Sequence, residues 1–333
     1  MNFQYIVKVE KANSITEIAF STAKKSGEMT WQQLKKRERI VRLRAAEKER
    51  LKTAKRIILR RLNKIHDQFP VVKDLPIFYQ KLFKNNIDFD KYRQSLQAIK
   101  WTVGKVEGLF NGYYEKLRKS KEPQEITSLR NQFYARVDSL LKKLQKSLEF
   151  LEESRKKLRR FPDLKDYMYT IAIAGYPNVG KSSLLKSLTT SDPKISNYSF
   201  TTKGLNTGYM LLEDEYIQII DVPGTLDREN KNIIEKNAIL VLENITALVI
   251  FVVDPSETSG YTVKEQLKLL DHFSEEFGFI PLCVLNKTDI ASKDNIKAAQ
   301  NALKDCIKIS INENKGINEL RKKILNMKKR KKE

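Results

Sequence analysis

Residues 175–183 read Gly175-Tyr176-Pro177-Asn178-Val179-Gly180-Lys181-Ser182-Ser183, preceded by the apolar run Tyr169 to Ala174. The spacing is that of a G-x-x-x-x-G-K-S loop. Its two glycines let consecutive backbone N–H groups converge on a phosphate, and its lysine places a point charge between the β- and γ-phosphates. Ser182 then faces a magnesium ion. Such a match carries weight only where a strand leads in and a helix leads out. Ile171 and Ile173 mark a buried strand, and Ser182 to Leu188 begins an amphipathic helix whose N-terminal dipole favours an anion. The nine loop residues are therefore expected to hold a nucleoside triphosphate.

A second apolar strand, Tyr216 to Ile220, ends in Asp221-Val222-Pro223-Gly224. This places the Asp221 carboxylate beside the phosphate loop, where it holds magnesium through water. A third strand, Phe279 to Leu285, ends in Asn286-Lys287-Thr288-Asp289, an N-K-x-D tetrad. Asp289 can accept from the ring N1–H and the exocyclic amino group of guanine. Adenine offers no such pair of donors, so GTP and GDP are expected as ligands rather than ATP. Lys287 is expected along the base or the loop. Ser310, after the short strand Ile307 to Ile309, is expected to turn a backbone N–H toward the guanine carbonyl. Between loop and carboxylate lies Tyr198-Ser199-Phe200-Thr201-Thr202-Lys203-Gly204, one of whose threonines completes the magnesium shell. The order of these elements excludes circular permutation. Thr225 and Leu226 follow Gly224, where Ras-like proteins keep a water-orienting glutamine, so slow intrinsic hydrolysis is expected.

Further along, Asp221 to Arg228 is followed by Asn232-Ile233-Ile234-Glu235-Lys236-Asn237-Ala238. Later come Phe251-Val252-Val253-Asp254-Pro255-Ser256-Glu257-Thr258-Ser259-Gly260-Tyr261 and Gln266. With these segments the chain resembles the nucleolar G-protein (Nog) family of Obg-related GTPases. The resemblance covers nearly the whole chain and implies a short form, without the long C-terminal extension of eukaryotic members. It implies a GTPase switch acting on the large ribosomal subunit precursor and its rRNA, beside ribosomal proteins or assembly factors. It favours Thr202 over Thr201 as magnesium ligand and places Lys181, Thr202 and Gly224 at the transferred phosphate. Asn178 has the position of the asparagine that holds potassium in potassium-stimulated GTPases, an ion that can replace an arginine finger. An asparagine that merely stabilises the loop is the equal alternative.

The fold expected is α + α/β, an N-terminal antiparallel helical bundle followed by a Ras-like P-loop domain. The boundaries expected are 1–162, 163–327 and a basic solvated tail, 328–333. Residues 1–166 carry 40 Lys and Arg against 20 Asp and Glu, whereas residues 167–333 carry 23 against 21. The basicity thus belongs to the bundle. Its seams are Tyr92, Leu96, Ile99, Val103, Val106, Phe110, Tyr113 and Leu117, then Phe133, Val137, Leu140, Leu144, Leu148 and Leu151, and more briefly Leu51, Ala54, Ile58, Leu62 and Ile65. The last of these ends a helix expected to begin near Thr30, and loops are expected at Phe69 to Leu75 and Lys119 to Gln124. Between Trp31 and Lys64, 14 Lys and Arg face only Glu38, Glu47 and Glu49. A solvated face normally mixes both signs, so this stretch repels itself unless a polyanion neutralises it, RNA above all. Lys156, Lys157, Arg159 and Arg160 form a second cluster.

Two cysteines, Cys283 and Cys306, imply neither a disulfide framework nor a zinc site, and two histidines leave little room for histidine chemistry. The longest apolar run, Ala247 to Val253, has strand length, so a cytoplasmic monomer without a membrane anchor is expected. Two rival readings share these residues. One is a membrane-surface GTPase whose basic helices meet anionic lipid, and the other an RNA-binding assembly scaffold that holds GTP with negligible turnover.

Overall fold

The computed structural model describes residues 2–189, 194–195, 206–222, 233–303 and 305–330. Five helices precede the sheet: α1 (Ala12–Gln33), α2 (Arg39–Asp67), α3 (Ile77–Asn86), α4 (Phe89–Lys119) and α5 (Pro123–Leu158). The chain divides into two compact units, Asn2–Asp74 with Ile87–Arg159, and Leu75–Asn86 with Arg160–Glu333.

The first unit is a bundle of α1, α2, α4 and α5. On α2 the seam Leu51, Ala54, Ile58, Leu62 and Ile65 is buried throughout. On α4 a strict heptad gives way to the drift of a 3.6-residue helix. Ser95 and Thr102 are buried where Leu96 and Val103 were expected, and Thr102 satisfies its hydroxyl on the Ala98 carbonyl at 2.8 Å. Leu141 likewise takes the place of Leu140 on α5. The helix expected from Thr30 is in fact interrupted at residues 34–38. The break is sealed by Arg42, whose Nε and Nη2 donate to the Trp31 carbonyl at 3.3 and 3.1 Å while its guanidinium lies 4.0 Å over the Trp31 ring. A basic side chain on the last carbonyls of a helix caps it as glycine otherwise would.

Helix α3 joins the second unit, although composition placed residues 75–86 with the N-terminal domain. The Tyr79 hydroxyl, fully buried, donates to the Pro162 carbonyl at 2.6 Å and accepts from the Leu164 N–H at 3.0 Å. Tyr79→Phe is expected to destabilise the folded chain by about 1–3 kcal/mol, read from urea denaturation.

The rest of this unit runs β1 (Thr170–Ala174), α6 (Lys181–Leu188), β2 (Lys194–Ile195), β3 (Asn206–Leu212), β4 (Glu215–Asp221), α7 (Ile233–Asn244), β5 (Thr246–Val253), α8 (Val263–Phe277), β6 (Leu282–Leu285), α9 (Lys293–Leu303), β7 (Cys306–Lys308) and α10 (Ile317–Arg330). The described strands form one sheet in the order β2-β3-β4-β1-β5-β6-β7. From β4 to β7 it is parallel, and β3 and β2 add antiparallel strands at one edge. Strand alternation divides the core. Ile171 and Ile173 pack with Leu184, Leu188, Leu320 and Ile324, while Ala172 and Ala174 pack with Leu242, Leu269, Phe273 and Ala299 on the other face. Burial on both faces is what a parallel sheet requires and why its strands read as apolar runs.

Residues 328–330, expected in a basic solvated tail, are helical. Helix α10 continues to Arg330, Lys328 is buried against Glu215, and Lys329 pairs with Glu213 at 2.8 Å. Among the described residues no helix is long and apolar enough to cross a membrane.

Candidate functional site

Five adjacent parallel strands end on one edge of the sheet, and each delivers chemistry there. Strand β1 leads into the phosphate loop, β4 ends in Asp221, β5 precedes Asp254, β6 precedes Asn286 to Asp289, and β7 precedes Ser310. The carboxyl ends of an open α/β sheet are where such folds bind ligands.

The phosphate loop needs its glycines. Gly175 and Gly180 have φ of +133° and +102°, and a Cβ on Gly180 would stand 2.2 Å from Asn286 Nδ2. Asn178 is also left-handed, at φ 64°, a conformation asparagine tolerates. Lys181 is 8 % exposed and its Nζ donates to the Tyr176 carbonyl at 2.7 Å. Burial lowers the pKa of its ammonium, and the neighbouring Asp221 carboxylate offsets part of that.

Ser182 Oγ donates to Asp221 Oδ2 at 2.5 Å, and Asn206 Nδ2 reaches the same oxygen at 3.2 Å. A hydroxyl and one carboxylate suit a magnesium ion that keeps water and phosphate oxygens as its other ligands.

On the base side, Asn286 Nδ2 donates to the Val179 carbonyl at 2.9 Å, tying the tetrad to the phosphate loop. Its Oδ1 is buried without a hydrogen-bond partner among the described residues, an orphaned polar atom of the kind a ligand site leaves. Asp289 is exposed and makes no hydrogen bond among them, leaving its carboxylate available to paired donors. Lys287 braces the loop. Its Nζ donates to the Asn178 carbonyl at 2.9 Å, Asp254 Oδ2 at 2.7 Å and Thr258 Oγ1 at 2.9 Å. Ser310 departs from expectation, because its N–H is spent on the Lys315 carbonyl at 3.1 Å in a local antiparallel bridge. Thr201, Thr202 and Gly224, with the segments 197–204 and 224–230, lie outside the described residues.

Sequence reasoning quoted Asp254, Tyr261 and Gln266 as a resemblance and missed their task. Asp254 is fully buried and accepts from Ser256 N–H (3.0 Å), Ser256 Oγ (2.5 Å), Ser259 N–H (3.0 Å) and Lys287. Gln266 holds the backbone of Asp254 from both sides, at 2.7 and 2.9 Å. The Tyr261 ring stacks on Tyr176 of the phosphate loop, centroids 4.0 Å apart. Burial would raise the Asp254 carboxyl, but hydrogen bonds from Lys287 and Ser256 outweigh it and hold the group below the ordinary carboxylate range. Its stabilisation is thus present at neutral pH and lost as pH falls through the lowered value. The signal available was a carboxylate directly after the apolar run Ala247 to Val253. Tyr261→Ala is expected to speed release of a fluorescent GDP analogue about two- to tenfold, and Tyr261→Phe to leave it near the parent rate.

Phosphate loop, strand-end carboxylate and N-K-x-D tetrad on this sheet define a guanine-nucleotide-binding P-loop GTPase. Residues 3–165 match the family model described as the NOG1 N-terminal helical domain, and residues 170–287 match that of a 50S ribosome-binding GTPase. An uncharacterized protein of Methanocaldococcus jannaschii, MJ1408, is 38% identical over 78% of this chain and 73% of its own length. Nucleolar GTP-binding protein 1 of Drosophila melanogaster is 31% identical over 91% of this chain and 46% of its own, and that of Encephalitozoon cuniculi 32% over 87% and 54%. The chain belongs to the NOG1 family of GTPases and spans about half the length of these nucleolar relatives.

Proposed function

We propose that this chain is a GTP-dependent switch in assembly of the large ribosomal subunit, its bundle lying on the RNA of the precursor particle. The observation that carries the reading is the outer face of α2. Of the 14 cations between Trp31 and Lys64, Arg42, Arg50 and Arg61 are engaged within the bundle, on Trp31, Glu47 and Glu10. Lys48, Lys52 and Lys55 lie over the rings of Tyr114 and Phe110. Lys35, Lys36, Arg37, Arg39, Arg56, Arg60 and Lys64 are exposed and form no ion pair among the described residues.

Of the three acids in the stretch only Glu38 is exposed, and the other two are turned into the bundle. Glu47 is buried against Arg50 (2.7 Å) and Arg130 (3.5 Å), and Glu49 accepts from Thr53 and Ser26 inside the bundle. Lys52, Arg56, Arg60 and Lys64 then form an i, i+4 stripe of one sign, which destabilises an isolated helix and suits a phosphate backbone. The family's nucleolar relatives agree with a ribosomal setting.

In the nucleotide unit, Lys181 and the loop amides hold phosphate, and Asn286 and Asp289 read guanine. Ser182 and Asp221 would hold magnesium, with Thr202 as a further ligand, and the ion would screen charge on the transferred phosphate. Single-turnover GTP cleavage with and without large ribosomal particles, in potassium and in sodium, tests the switch. Faster cleavage on the particle supports it, and unchanged cleavage favours a scaffold. Equal rates in the two salts remove the potassium role of Asn178.

A further inference from the structure

At the α1–α2 end of the bundle lies a cleft of about 620 Å³ lined by Trp31, Arg39, Leu43, Gln124, Ser128 and Asn131, with Pro123 and Thr127 completing its wall. The lining holds one cation, several amide and hydroxyl groups, an indole and no carboxylate. We infer that this cleft takes an unpaired nucleotide of an RNA strand, its base stacked on Trp31 and its phosphate between Arg39 and the first turn of α5. The inference rests on the RNA reading above and names the site within it.

Three independent features converge here. Trp31 is a prepared platform, half-buried and fixed by Arg42, which bonds its carbonyl and lies over its ring. A side chain already held in place loses little conformational freedom when a base stacks on it. The first turn of α5, a 36-residue helix that starts at Pro123, borders the same cleft through Pro123 and Gln124 and has no side-chain cap, so its dipole favours an anion there even with Glu125 in that turn. The break between helices, which leads from Trp31 to Arg39 of the cleft wall, carries Lys35, Lys36, Arg37 and Arg39 against Glu38 alone, the four cations exposed and without ion pairs among the described residues. A paired A-form strand keeps its bases stacked and out of reach, whereas a bulged or looped nucleotide presents the face an indole takes.

The chain has two tryptophans, Trp31 and Trp101, so in a Trp101→Phe protein fluorescence reports Trp31 alone. The probes are an RNA hairpin with one bulged nucleotide, made with each of the four bases, the same hairpin fully paired, and one whose bulge is abasic. At least one base-bearing bulge is expected to quench Trp31 and to bind about tenfold more tightly than the paired and abasic hairpins at equal salt. Trp31→Leu should abolish that advantage, as should Ser128→Phe, which fills the cleft from an exposed position and leaves the core untouched. Neither should alter affinity for the paired hairpin. If abasic and base-bearing bulges bind and quench alike, or both variants keep the advantage, the site is wrong while RNA binding by the bundle stands. If no hairpin binds even at low ionic strength, the RNA reading falls with it.

Discussion

Lys181→Ala is expected to weaken GTP and GDP by about a hundredfold to a few thousandfold, measured by titration calorimetry on protein shown to be folded by circular dichroism. The ammonium sits in the crook of the phosphate loop, 8 % exposed, with the Tyr176 carbonyl as its hydrogen-bond partner at 2.7 Å. It is therefore desolvated in advance and aimed where two phosphates meet. Removing one partner of a buried, hydrogen-bonded charge pair costs about 2–5 kcal/mol, which sets the size of the loss. The fold should survive, because Lys181 is the first residue of α6 and the core there is made by Leu184, Leu185 and Leu188. A loss smaller than tenfold would mean that the loop amides alone carry phosphate binding.

Asp289→Asn is expected to cost guanine nucleotides about a hundredfold or more and to make xanthine nucleotides the preferred ligands. The carboxylate accepts from both N1–H and the exocyclic amino group of guanine. An asparagine there keeps one acceptor and turns a donor toward the second position, where xanthine has a carbonyl. Asp289 is exposed and has no hydrogen-bond partner among the described residues, so the change disturbs no packing. Competition between GTP and XTP for a fluorescent analogue measures it. Unchanged selectivity would remove Asp289 from base reading.

The nucleotide unit was legible because its chemistry is local in sequence. A phosphate loop needs its glycines, lysine and serine within nine residues, and buried parallel strands announce themselves as short apolar runs such as Ile171 to Ala174. What stayed hidden depends on partners far along the chain. The N–H of Ser310 is consumed by Lys315, and no spacing rule marks that bridge. Asp254 works through Lys287, 33 residues away, and Tyr261 through Tyr176. The bundle was legible as apolar periodicity, but its ends were not. Residues 34–38 contain neither proline nor glycine, and only the Arg42 guanidinium on the Trp31 carbonyl explains why the chain turns there. Helix α3 reads like its neighbours in composition, yet the Tyr79 hydroxyl fastens it to residues 162–164. Charge likewise overstated the tail, since Lys328 and Lys329 find Glu215 and Glu213 across more than a hundred residues.

Charge counting came nearer on α2, though not residue by residue. Of the 14 cations between Trp31 and Lys64, several pack on aromatic rings or cap a helix, and the stripe that remains on α2 is what an RNA backbone would meet. Cosedimentation of the chain with large ribosomal particles across a salt series, comparing the parent with an Arg56→Ala, Arg60→Ala, Lys64→Ala triple variant in GTP analogue and in GDP, tests this most directly. The parent is expected to bind more tightly in one nucleotide state than the other, and the variant to lower the salt slope by about two to three for the three phosphates released. Absence of association at low ionic strength with either nucleotide, or association that the variant leaves unchanged, would contradict it.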